Sequence, residues 1–253
     1  MGSIAGWKSY FRGMSAFIVY ALSSGILENV FKGIVPYLPI GSLIAPLALT
    51  QIVAAWTHIV ITVPSERKWY QRLPPFKKTF EATCFPILAV WLANAINVAL
   101  PAFVGKLLGI SWPSDPEGGN PNQNPFDPHL IWKSLIVVFL VFFIRLTIAL
   151  PAEVLLVRVQ ASLLPPDEEP IIPFDRSFGG RVDPVVVTGK GFVSMKDALQ
   201  TFPRESWIRL YKLYAKVVGI TFGTYSLFIA VIIPEMILII AGSTKLPPGD
   251  GSF

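Results

Sequence analysis

Arg145 lies inside an otherwise apolar run, Leu135 to Leu150, in which Thr147 is the one other polar residue. A cation there is costly unless it faces a cavity or an acid. Just beyond it come Pro151, Glu153, Arg158 and Gln160. A proline removes an amide donor and crowds the carbonyl four residues back, so it kinks a membrane helix. An acid two residues later, at the membrane edge, must find a cation or water. His58, Pro64 and Glu66 repeat the relative spacing of Arg145, Pro151 and Glu153, each pair being 87 residues apart. If the apolar segments surround a cavity, Arg145, His58, Asn94, Asn97 and Gln51 are the residues expected to line it. A basic lining of this kind suits a small anionic solute. Asn94 and Asn97 share a helix face. For the two asparagines and Gln51, hydrogen bonding between helices is the competing use.

Other chemistries find no support. No nucleophile and base stand in a recognisable arrangement, so the chain is not expected to be an enzyme. With two histidines and one cysteine, Cys84, no cluster has metal-ligand spacing. No glycine loop for a phosphate occurs, and no cofactor is expected. Cys84 reads as a small buried apolar residue.

The elements that must position these residues are membrane helices. The chain has 253 residues, 53% of them hydrophobic and only 15% charged, with a mean hydropathy of +0.57. The sequence predicts an all-α, polytopic bundle of about five spans in one membrane domain, at residues 14–31, 40–63, 83–104, 131–150 and 217–241. A Pro-, Gly- and Asn-rich polar loop is predicted at 111–128. A long loop is predicted at 165–204, with a short helix from Ser194, a plausible cap, to Phe202. Charge sets the topology. The loop Pro64 to Ala82 holds five bases against two acids, whereas Gly105 to Leu130 holds one base against three acids. The +5 net charge therefore reads as membrane orientation rather than nucleic-acid binding. The N-terminus shows no cleavable signal pattern.

The stretch Pro151-Ala-Glu153-Val-Leu-Leu156-Val-Arg158-Val-Gln160 resembles the signature at the matrix end of odd-numbered helices in the mitochondrial carrier family. Leu156 stands where that family has its salt-bridging base. Pro64 and Glu66 open a degraded copy, with Trp69 at the base position, and Tyr10-Phe-Arg12-Gly13 resembles the entry to an even-numbered helix. The resemblance implies degenerate carrier-like repeats with the first odd helix missing. It also implies a matrix-side gate at Pro64, Glu66, Pro151, Glu153, Arg158 and Gln160, and a place in a mitochondrial membrane, inner rather than outer. The expected function is transport of a small anionic metabolite across the lipid bilayer. The alternative is a transport-inactive adaptor, assembly factor or complex subunit, with a membrane-protein partner on the side left open by the missing helix.

Overall fold

Proline and glycine punctuate the apolar runs, and the helices begin and bend at them. In a computed structural model, which describes residues 11–35, 40–110, 128–172, 174–180, 182 and 191–243, the first helix, α1 (Met14–Ile34), starts after Gly13. Gly13 has a φ of 74°, a left-handed conformation that glycine adopts at little cost. The segment 40–63 is not one continuous helix. It forms α2 (Gly41–Ala48) and α3 (Thr50–Ile61), bent by 61°. The break falls at Leu49, with φ −98° and ψ 16°, three residues beyond Pro46. α2 lies close against α1, since a Cβ on Gly41 would be 3.0 Å from the backbone of Glu28.

A short 3-10 turn, Trp69–Arg72, leads through Pro74 and Pro75 into α4 (Phe76–Leu107), which carries Pro86 and Pro101 inside it. Next, α5 (Pro128–Ile144) runs into a π-helical turn, Arg145–Ala149, and on into α6 (Leu150–Ser162). Pro151 explains the wide turn. It cannot donate to the Thr147 carbonyl, and the Leu150 amide instead reaches back five residues to Arg145 O. α7 (Met195–Gln200) is capped by Ser194, whose hydroxyl accepts from the Asp197 amide. α8 (Arg204–Ser243) contains Pro234 and begins well before residue 217.

Four helical stretches are long and apolar enough to cross a membrane: Met14–Ile34, Phe76–Leu107, His129–Ser162 and Arg204–Met236. The bent pair α2 and α3 is a fifth candidate. The chain is thus an all-helical, multi-pass membrane protein. Among the described residues the extended structure is an isolated bridge between Thr62 and Pro170. The expected polar loop falls almost wholly on residues 111–127, outside the described residues.

Two compact units emerge, Met1–Thr201 and Phe202–Phe253. Within the first, the long connection after α6 is folded. Phe178, Val193 and Ala198 pack on Ala82 of α4 and on Leu155 and Val159 of α6, making a buried apolar core. The second unit is α8, whose apolar stretch is lined by exposed residues such as Ile220, Phe222 and Leu227.

Candidate functional site

The costly cation finds an acid on its own helix. Arg145 Nη1 lies 2.8 Å from Glu153 Oε1, and Nη2 donates to Oε2 at 3.1 Å. Eight residues of regular α-helix would put these side chains well out of phase. The extra residue absorbed by the π turn leaves them about seven α-helical steps apart, two turns up the same face. Arg145 Nη1 also donates to Asn94 Oδ1 of α4 at 3.2 Å, so the pair ties the fourth apolar stretch to the third. Glu153 therefore finds its cation within its own segment.

Asn94 also borders a cavity of about 620 Å³ between α1, α2, α3, α4 and α6. Its wall is mostly apolar, with Val53, Ile87, Val90, Val98 and Leu156 among the residues that form it. The polar points are few. Trp91 Nε1 donates to Ser42 Oγ at 3.0 Å, while Tyr20, Asn94 and Gln160 complete the lining. Leu156, at the position where a carrier would hold a base, is here part of the apolar wall.

Gln160 is fully buried. Its side-chain oxygen accepts from Thr57 Oγ1 at 2.7 Å, and its backbone carbonyl lies 2.9 Å from His58 Nε2. His58, 1% exposed, thus serves to join α3 to α6. Gln160 Nε2 is buried and has no hydrogen-bond partner among the described residues.

The five residues expected around one cavity are therefore separated. Asn94 lines it and Arg145 stands behind Asn94, but His58 faces the α6 backbone. Gln51 Nε2 donates to Pro74 O at 2.7 Å, fastening α3 to the chain that enters α4. Asn97 Oδ1 is buried without a partner among the described residues and does not line the cavity. Gln51 and His58 share α3, and Asn94 and Asn97 share α4, but within each helix the two side chains meet different surroundings.

The residues expected to form one gate are likewise dispersed. Pro64 and Glu66 border a cleft of about 490 Å³ with Arg12, Lys68 and Tyr70. Pro151 shapes the π turn, and Gln160 belongs to the α3–α6 junction. Arg158 Nη2 donates to Thr201 Oγ1 at 2.8 Å, and its guanidinium lies 4.9 Å from the centre of the Phe178 ring. It thereby holds down the connection between α6 and α7.

That connection is strapped to the end of α3 by charges that the sequence left unassigned. Arg72 pairs with Glu168, with side chains 3% and 11% exposed. It also donates to Thr62 Oγ1 at 2.6 Å. Arg176 donates to the backbone carbonyls of Pro165 and Glu168. The Val63 and Ile171 amides bond Glu169 O and Ile61 O, both at 2.9 Å. Arg12 Nη2 meets the carbonyls of Ile59 and Thr62 at 2.9 and 2.5 Å, where a helix C-terminus favours a cation. Burial first, and then the nearby charge of Arg72, lower the Arg12 pKa. The signal available in the sequence was the acidic run Asp167-Glu168-Glu169 directly after two prolines. No three residues among His, Cys, Asp and Glu gather in a way that could hold a metal ion among the described residues.

In comparisons with known proteins, no family model, no curated protein and no solved structure matches the chain.

Proposed function

We propose that this multi-pass membrane protein is a non-enzymatic, carrier-like protein of the mitochondrial inner membrane. In this reading it takes a solute into the cavity between its first four apolar segments. One observation carries it: the Arg145–Glu153 pair is coupled through Asn94 to the wall of a cavity of about 620 Å³. Ionisable groups held within an apolar span are expensive and commonly mark a pathway or site. The π turn beside the pair offers a place where the helix can change its register, as such turns do at functional sites. Glu153 neutralises the cation on which an anionic solute would rely, which supports an uncharged or zwitterionic one.

The test is thermal stability of the detergent-purified protein against nucleotides, carboxylates, phosphate, amino acids and neutral amphiphiles. A ligand that binds only the folded state raises Tm with concentration. A shift in the parent protein that is lost in Arg145→Ala supports the reading. No shift with any of these compounds overturns it.

A second reading, a transport-inactive membrane scaffold or complex subunit, is favoured by the strap of Arg72, Glu168 and Arg176. It fixes the connection after α6 against the end of α3. A rigid end suits a platform better than a moving gate.

A further inference from the structure

We infer that the cavity is a binding site for a neutral lipid-like molecule, one with a long apolar body and a small uncharged polar end, of which a carbonyl or hydroxyl oxygen meets Gln160. The inference rests on the reading above for the place of the site and deepens it by naming the ligand class.

Three observations carry it. First, a cavity of about 620 Å³ falls within the range of small-molecule sites, and its wall is dominated by aliphatic side chains. Such a wall offers no compensation for a charged solute and rewards burial of methylene groups. Second, Gln160 lines this cavity while fully buried, and its Nε2 has no partner among the described residues. Thr57 engages the other end of the amide. A buried amide left half-bonded is costly, so a ligand oxygen placed there gains more than an ordinary surface hydrogen bond. A hydroxyl answers the free end whichever way the amide is turned, and a carbonyl answers the amide as it stands. Third, the lining includes Val98, which is 72% exposed within the apolar stretch Phe76–Leu107. The mouth therefore opens among lipid-facing residues. A ligand that enters there comes from the bilayer, so it must be soluble in it.

The experiment uses the full chain in nanodiscs of phosphatidylcholine. The probe is a monoacylglycerol whose acyl chain carries a diazirine and an alkyne. An alkane of equal length with the same two groups and no oxygen is the control. After irradiation, the labelled peptides are located by mass spectrometry, with unlabelled monoacylglycerol as competitor. The expected result is competed labelling within residues 87–99 and 156–160. Ala95→Phe, which fills the cavity from α4, should reduce it at least tenfold. Gln160→Leu should weaken competition by the monoacylglycerol roughly tenfold, the value of about one hydrogen bond, and leave the alkane unchanged.

Equal labelling by the alkane in the parent protein would overturn the inference, because the cavity would then be only a gap filled by any chain. Labelling that is spread over lipid-facing positions and insensitive to Ala95→Phe would also overturn it. Both comparisons stand even if Gln160→Leu does not fold. A polar solute that stabilises the protein through Arg145, with no competed labelling of the cavity, would leave the proposed function intact and remove this inference alone.

Discussion

Two neighbouring acids, Asp167 and Glu168, form ion pairs of very different burial, and removing each in turn measures what burial does. Glu168 faces Arg72, whose Nε donates to Oε1 at 2.9 Å, with side chains 11% and 3% exposed. Asp167 faces Arg67 at 3.2 Å, with side chains 58% and 61% exposed. In Glu168→Ala the Arg72 guanidinium stays buried, with Thr62 Oγ1 its one remaining hydrogen-bond partner among the described residues. Breaking a buried pair in this way costs about 3–5 kcal/mol. At about 2–4 °C per kcal/mol for a chain of this size, Tm falls by roughly 6–20 °C. Asp167→Ala removes an exposed pair that contributes about 0–1 kcal/mol, so the shift stays below roughly 4 °C. The double variant Arg72→Met/Glu168→Leu removes both charges and recovers most of the loss, because an apolar replacement of a buried pair is often neutral or stabilising. Melting in detergent by intrinsic fluorescence reads all three. Equal shifts for the two acids, or a double variant no better than Glu168→Ala, would refute the claim that the strap is a buried, satisfied network.

Two further expectations concern the backbone. Gly13→Ala should lower stability by at least about 1–3 kcal/mol, since alanine resists a φ of 74° and its Cβ would lie 2.6 Å from Trp56 Cδ1; an unchanged Tm would contradict the close approach of α1 to α3. Asp175 accepts from the Ser177 hydroxyl and from the Gly179 and Ser177 amides, which hold its pKa below the usual 3.8. A depressed carboxylate stabilises fully above its unfolded value, and the contribution fades as pH falls through the lower folded value. Pepsin cleavage around residues 174–180 should therefore rise as pH drops below about 3.8, and Ser177→Ala should move that rise to higher pH.

The apolar runs made the helices legible in the sequence, because backbone groups in a membrane must be satisfied within a helix or closed barrel. The kink at Pro151 was legible for the same local reason, as was the Ser194 cap. The bend between α2 and α3 was not, since Leu49, where it falls, sits in an apolar stretch where hydropathy has no contrast. Arg145 announced that it needed a partner, but the partner depended on register. A regular helix gives Arg145 and Glu153 different faces, and only the π turn aligns them. The strap was hidden by distance, since Arg72 and Glu168 are 96 residues apart and neither belongs to a motif. The cavity was hidden for a related reason: its polar points, Gln160 and Asn94, come from separate helices, and most of its wall is ordinary valine, isoleucine and leucine.

The most direct test of transport is two-sided access to the cavity. Cys84 is the one native cysteine, so Ala95→Cys in a Cys84→Ala background puts a single thiol on the cavity wall. With the protein reconstituted in one orientation in sealed vesicles, a membrane-impermeant maleimide is applied outside in one sample and trapped inside in another. A carrier that opens alternately to each side predicts labelling from both sides, changed by a bound solute. Labelling from one side only, or from neither, would contradict transport and leave the scaffold.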